Sequence, residues 1–413
     1  MNKIEKLQLP KHLEELASKL PADLYVVGGK VRNHLMNIDN DDIDLCSALT
    51  LDELEKYFEG TNYQLKFKNT ILGTAKILYN GKSFDYATLR REVYDEGGKR
   101  QPKTVEFIDS IEEDALRRDF SVNAIYYNVK TEQFYDFCNG IRDISKRTIR
   151  CVKNPNEVLA DDGIRILRMV RIAAELNFKI NKDTFNAAFK NISNLANISG
   201  VSISRELIKI CDSSFVGVCD KKAYLKAIKT LNKLRAWKFF GVNFEKLRPN
   251  MVKKEITKYL GLLIDVIDAE KPASISYFLN KVLDQLQINK KKKEEIVNII
   301  SGYYDALNRI PNKLYFSKYF DNFERILEIL NLRSKGLAAR YNFFYKYIIS
   351  HKVVVRIADL KISYRDIANN FPSLPKKSYD VVLNMVLSDI FEGKYNNDKE
   401  TILKEIEKKM KYY

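Results

Sequence analysis

Asp42-Ile43-Asp44 sets two carboxylates on either side of one isoleucine. In an extended segment, side chains at i and i+2 share a face. Like charges so placed repel unless a cation lies between them. Hard oxygen donors suit a divalent cation, and magnesium beside phosphate is the usual use of such a site. Asp85 is a candidate third ligand, standing among apolar neighbours in the β-rich run Phe84-Asp85-Tyr86-Ala87-Thr88-Leu89. Ahead of the pair, Gly28-Gly29 closes the apolar run Leu24-Tyr25-Val26-Val27, and Arg32 follows. Glycines let backbone approach a phosphate closely, and a helix starting near Lys30 would turn its N-terminus to the anion. Singly, a GG pair is an ordinary turn and a DxD an ordinary solvated loop. Together, at this spacing, they describe a site for a metal-bound nucleoside triphosphate.

A second constellation falls at 162–171. At ~100° per residue, Asp162, Arg165 and Arg168 form one stripe of a helix starting at Asp162, and Arg171 extends it. The remaining positions, Ile164, Ile166, Leu167, Met169, Val170, Ile172, Ala173 and Ala174, are apolar. Such a helix is buried on most sides, so its arginines need anions or acceptors. Ion pairs with carboxylates of the N-terminal part and a bound nucleotide both satisfy that need.

The elements that must position these residues divide near residue 150. Before it, the strand-like runs 24–27, 77–79, 84–89, 105–108 and 124–127 are punctuated by Asn80-Gly81, Gly97-Gly98 and Asn139-Gly140, with helical stretches at 11–20, 31–37 and 51–59. After it the periodicity is helical almost throughout, with Ile164–Leu176 and Ser204–Ile210 clear cases and prolines 249, 272, 311, 372 and 375 at breaks. Ser378–Glu392 reads as a helix stopped by Gly393. Lys290–Lys293 reads as a solvated helix edge. The 413 residues have ordinary hydrophobic (45%) and charged (30%) content, but a net charge of +16 favours a polyanionic partner. Cysteines 46, 138, 151, 211 and 219 show no CxxC spacing and read as reduced, cytoplasmic core residues. Histidines 12, 34 and 351 are too scattered for a metal site. Charges at Lys3, Glu5 and Lys6 argue against a signal peptide, and no run reaches the ~18 apolar residues of a membrane span.

The stretches GGKVR (28–32), DDIDL (41–45), RRDFSVNAIYYN (117–128) and DDGIRILRMVRIAAELNF (161–178) resemble the motifs of class II tRNA nucleotidyltransferases, the CCA-adding enzymes and their relatives. TLRREVYDEGGKRQPKTVEF (88–107) is similar to that family's flexible loop, and LKISYRD and GKYNNDKETILKEI to its bacterial tail. The resemblance covers most of the chain. It implies an α+β fold: a polymerase-beta-type nucleotidyltransferase head of mixed sheet and helices, followed by an all-α neck, body and tail. The implied boundaries are 1–150 for the head, 151–215 for the neck that recognises the base, 216–320 for the body and 321–413 for a tRNA-binding tail. It further implies that Asp42, Asp44 and Asp85 are catalytic and hold Mg2+. Gly28, Gly29 and Arg32 would meet the triphosphate, Arg118 the nucleotide, and Asp119 the ribose 2′-hydroxyl. Asp162, Arg165, Arg168 and Arg171 would complete the nucleotide site. The implied partners are the tRNA 3′ end, CTP and ATP, with no membrane, a cytoplasmic location, and a homodimer left open. Four positions depart from the pattern: Asn33 for Asp, Asp161 for Glu, Asp85 for Glu, and Ser204 for the Glu before Arg205.

Cytosine and adenine each place an amine donor beside a ring-nitrogen acceptor. Asp162 can accept from the first and Arg165 donate to the second, whereas uracil and guanine present the reverse pattern. Buried mismatched groups reject a wrong base strongly. One Asp–Arg pair therefore serves CTP and ATP and excludes UTP and GTP. The Gly97-Gly98 loop, with Arg91, Lys99 and Arg100, is the expected mobile element for the change from CTP to ATP. The aromatic run Tyr341–Tyr347 reads first as helix core. Competing readings are an A-adding enzyme or bacterial poly(A) polymerase, and a non-catalytic basic RNA-binding protein.

Overall fold

The structure, a computed structural model, describes residues 5–39, 41–95, 97–212, 220–242, 246–248 and 258–410; Cys219 and Pro249 lie outside them. The chain divides into two compact units. The first runs to Val252 and takes in Asp268–Glu270 and Asp284–Ile288; the second comprises Lys253–Ile267, Lys271–Leu283 and Asn289–Tyr413.

The first unit is built on a seven-stranded mixed sheet. Its strands are β1 (Tyr25–Val27), β2 (Asp44–Ser47), β3 (Tyr63–Asn69), β4 (Thr74–Tyr79), β5 (Lys82–Thr88), β8 (Ile125–Asn128) and β9 (Phe134–Asp136), in the order β3-β4-β5-β2-β1-β8-β9. Two more strands, β6 (Arg90–Val93) and β7 (Thr104–Phe107), form a separate antiparallel pair. Within the large sheet only β2 and β5 run parallel, in a register that sets Asp44 opposite Asp85. Asn80 and Gly81, both at positive φ, turn β4 into β5, as a two-residue hairpin loop requires.

Helices α1 (Lys11–Lys19), α2 (Gly29–Leu35) and α3 (Leu51–Phe58) fall where the periodicity places them. Thr50 and Glu53 close a capping box at the start of α3. Strand β3 escaped the sequence reading because most of its side chains beyond Tyr63 and Leu65 are exposed and include Lys66 and Lys68.

The chain continues through α4 (Ile111–Arg117), α5 (Gly140–Ser145), α6 (Pro155–Asp161), α7 (Ile164–Glu175), α8 (Lys182–Lys190), α9 (Gly200–Asp212) and α10 (Asp220–Leu234). Apolar residues bury α7 nearly all round, as its composition predicts, and α9 and α10 pack on it. This part is not wholly helical. Thr148–Ile149 pairs in parallel with Lys179–Ile180.

Within the second unit, Lys290–Lys293 opens the helix Lys290–Asn308 and is largely exposed. The helix Lys335–Ser350 answers the aromatic question in two ways. Tyr341 is buried and Tyr345 packs on Phe323, but Phe343 is 75% exposed and Tyr347 is exposed as well. A small C-terminal core gathers Leu360, Ile367, Leu383, Val386, Ile402 and Ile406. The helix Tyr379–Phe391 ends before Gly393, whose φ is +73°. Cysteines 46, 138, 151 and 211 are buried and in no disulfide with one another. Among the described residues no helix is long and apolar enough to cross a membrane.

Candidate active site

Strand pairing assembles the three carboxylates. Asp42 lies just ahead of β2 and not within it, so the two aspartates do not share a face of one strand as the spacing alone suggests. Asp44 opens β2, and the parallel register brings Asp85 of β5 beside it. One oxygen from each of Asp42, Asp44 and Asp85 lies within 4.8 Å of the others. Burial, and then the neighbouring Asp42, push the Asp44 carboxyl up to about 6, with Asp85 adding to this and Arg118 opposing it. A cluster of hard oxygen donors that raises its own pKa is suited to a divalent cation. Lys76 Nζ sits 2.7 Å from Asp85 Oδ1 and partly meets that demand.

Backbone conformation clears the next position. Gly28 follows β1 with φ +79°, and a Cβ there would stand 3.2 Å from Asp44 Oδ2. The helix that begins at Gly29 has only seven residues, so attraction for an anion rests mainly on Arg32. That guanidinium is held by neutral acceptors. Asn33 Oδ1 takes Nε at 3.0 Å and Nη2 at 2.8 Å, and Asn123 Oδ1 takes Nη1 at 2.6 Å. Burial draws Arg32 down to about 10, with Arg171 and Arg168 adding to the pull and Glu175 and Asp119 opposing it. It therefore stays charged at neutral pH.

The RRD segment follows α4 and is pinned from beneath. Fully buried Asp114 accepts from Arg117 Nε at 2.8 Å and from Arg118 Nη2 at 3.1 Å. It also accepts from the Arg90 N–H and the Tyr126 hydroxyl. Asp119 accepts from the Phe120 N–H on Oδ1 and from Arg168 Nε, at 2.7 Å, on Oδ2. Although burial works against it, Arg168 holds Asp119 below the ordinary carboxylate range.

The stripe at 162–171 is arranged differently from the expectation. Asp162 is extended (φ −142°, ψ 108°) between α6 and α7, and its Oδ1 accepts the Ile164 N–H at 3.0 Å. It precedes the helix and does not lie on it, because Gly163 intervenes as the N-cap. Burial raises its carboxyl above the ordinary value, against the pull of the Ile164 N–H and Arg165. Arg165 is fixed by two backbone carbonyls, Val158 at 3.1 Å and Arg117 at 2.8 Å, and its guanidinium lies over the Tyr94 ring. Arg168 pairs with Asp119 of the N-terminal part, the ion-pair alternative raised by the sequence. Arg171 is committed to Glu175 and Glu206, both at 2.7 Å, and is the least available of the three.

Within the 88–107 stretch, β6 and β7 pair near its two ends as an antiparallel hairpin. Its tip is docked. Gly163 N–H donates to Gly98 O at 2.9 Å, Asn197 Nδ2 to Gly97 O at 2.6 Å, and Arg100 to Ser202 Oγ at 2.9 Å.

One cavity of about 670 Å³ is lined by all twelve residues singled out from the sequence: Gly28, Gly29, Arg32, Asp42, Asp44, Asp85, Arg118, Asp119, Asp162, Arg165, Arg168 and Arg171. It also takes in Arg90, Glu92, Tyr94, Arg117 and Asn123, which were not singled out. Glu92 is a buried hub, bound by Arg90 Nε at 2.7 Å and by the Tyr94 hydroxyl. Alternation along Arg90–Val93 marks a strand, but nothing local shows which carboxylate turns inward.

Residues 24–150 match the family described as the Poly A polymerase head domain. The CCA-adding enzyme of Ligilactobacillus salivarius is 27% identical over 412 residues, covering 94% of this chain and 92% of that enzyme. The CCA-adding enzyme of Staphylococcus saprophyticus is 27% identical over 337 residues, covering 81% and 79%. Among solved structures, the Bacillus stearothermophilus CCA-adding enzyme in complex with CTP superimposes with a TM-score of 0.67 at 19% identity, covering 98% of this chain and 99% of that one. That likeness establishes the fold: a mixed-sheet head followed by a largely helical remainder.

Proposed function

We propose that this chain belongs to the tRNA nucleotidyltransferase and poly(A) polymerase family and is a CCA-adding enzyme. It adds C, C and A without a nucleic-acid template to the 3′ end of tRNA, using CTP and ATP. The observation that carries this reading is the single cavity in which the acidic triad, Arg32 and the Asp162–Arg165 pair face one another.

Asp42, Asp44 and Asp85 would hold a divalent cation, which we take to be Mg2+ and which, when bound, makes the RNA hydroxyl more acidic and offsets triphosphate charge. Arg32 and the backbone at Gly28 and Gly29 receive the triphosphate. Arg118 and Arg168 add positive charge beside it. Asp119 retains acceptor capacity for a ribose 2′-hydroxyl, which favours NTP over dNTP. Asp162 and Arg165 read the base edge, and Tyr94 supports the guanidinium. Arg171 keeps the stripe in place through its carboxylate pairs. In the transfer itself, the RNA O3′ bonds to the α-phosphorus and the bond to the β-bridging oxygen breaks. Pyrophosphate leaves and the hydroxyl proton passes to water. No protein nucleophile is required, so the residues act by placement and charge.

We assign residues 1–150 to the catalytic head, 151–215 to the neck, 216–320 to the body and 321–413 to the tail. The basic helical part would bind tRNA through shape and phosphate, in a cytoplasmic setting. The test is tRNA lacking its three terminal nucleotides, incubated with CTP, ATP or both. Adenosine added only after two cytidines supports the reading. Use of ATP but not CTP, on tRNA ending in CC, points to an A-adding enzyme; long adenosine tails point to a poly(A) polymerase. No transfer at all leaves an RNA-binding protein.

A further inference from the structure

A second cavity, of about 430 Å³, adjoins the triad. It shares Asp44, Asp85, Arg90, Arg117 and Arg118 with the first cavity but is not lined by Gly28, Gly29 or Arg32. Its other walls include Val27, Leu45, Ala87 and Phe67. We propose that this cavity receives the 3′-terminal nucleotide of the RNA, with Phe67 stacking on its base and Arg90 donating to its phosphate. The proposal rests on the nucleotidyl-transfer reading above and adds to it the place of the acceptor end.

In-line displacement fixes the side. The attacking O3′ must approach the α-phosphorus opposite the departing pyrophosphate. The groups suited to pyrophosphate, Arg32 and the glycine pair, line only the first cavity, so the hydroxyl enters from the second. The size fits a nucleotide.

Phe67 is 82% exposed, and its φ is +53°. A bulky side chain there is a genuine outlier. The register of β3 on β4 breaks between Lys66 and Asn69, so the strand bulges where this ring leaves the ladder. Bulges commonly re-aim a side chain beside an active site. Arg90 is 9% exposed; Glu92 holds its Nε, and its Nη1 has no hydrogen-bond partner among the described residues. A buried donor of this kind needs an acceptor, and a modest turn of the guanidinium would give it a phosphate oxygen. Lys76, on Asp85, and Arg117 and Arg118 add further positive charge to the same cavity, which suits the RNA backbone.

The chemistry of repeated addition favours stacking here. The acceptor end differs at each step, so its site must tolerate changing bases. A ring face binds every base, whereas hydrogen-bonding groups would select one.

The experiment compares wild type, Phe67→Ala and Phe67→Trp on tRNA lacking its three terminal nucleotides, and measures CTP binding by each protein without RNA. For Phe67→Ala, kcat/KM for the RNA should fall about 10- to 100-fold. CTP binding and thermal stability should stay unchanged, and Phe67→Trp should recover most of the loss. An unchanged kcat/KM for the RNA overturns the proposal. So does a parallel loss of CTP binding, which would place the ring with the incoming nucleotide or with the fold. A wild-type protein that transfers nothing from any NTP overturns the functional reading itself, before Phe67 is in question.

Discussion

Asp114 never reaches the cavity, yet it positions much of what does. Burial works to raise its pKa, but Arg117 and Arg118 hold it down to about 2. Its folded value lies below the ~3.9 of an unfolded aspartate. Its stabilising contribution is therefore complete above about pH 4 and is lost as pH falls through about 2. Asp114→Asn should cost roughly 3 kcal/mol at neutral pH, since it leaves two buried guanidinium groups short of their carboxylate. In denaturant titrations, the gap from wild type should close as pH drops from about 4 to 2. At Gly28, alanine must adopt φ +79° and crowd Asp44 Oδ2. We expect Gly28→Ala to lower kcat/KM for CTP about 10-fold or more in steady-state assays. Arg165→Ala removes the ring-nitrogen donor. It should reduce discrimination of CTP over UTP by about 10²-fold or more in competition assays. It also orphans two backbone acceptors, so a melting curve should accompany that assay.

At the scale of elements, the strands carrying the motifs were legible because apolar runs and turn pairs bracket them. So was α7, whose composition forces burial. The twelve candidate residues, eleven from four short motifs and Asp85 from the run 84–89, line one cavity. Three things were not legible. The parallel pairing of β2 with β5 joins residues far apart in sequence, and only the sheet shows Asp44 beside Asp85. Gly163 separates Asp162 from α7, a break that helical spacing does not register. Arg90 and Glu92 sit in a strand, where ionisable residues usually face water, with Tyr94 just beyond it, and only the docked hairpin turns them inward. The contact from Gly163 N–H to Gly98 O couples this hairpin to the residue following Asp162. A side chain at Gly98 would clash with Asn194 at 2.6 Å and strain φ +69°. Gly98→Ala should therefore impair A addition or C addition by about 10-fold, separable by primers ending before and after CC.

For the whole molecule, the net charge of +16 becomes a binding statement once the partner is a polyanion. If about four phosphates are neutralised, affinity for tRNA should fall about 10²-fold between 50 and 200 mM salt. Filter binding across that range gives the slope. A slope near zero would mean that the lysines are merely solvating. The charge was plain in the composition; which lysines act is a matter of surface shape, which composition does not carry. The central claim is narrower: carboxylates brought together by the parallel strands make the transfer possible. It is tested most directly by single-turnover CMP addition with Asp44→Asn in excess Mg2+, alongside CTP binding. We predict that CTP still binds while the transfer rate falls about 10³-fold or more. Transfer by Asp44→Asn at the wild-type rate would contradict the account.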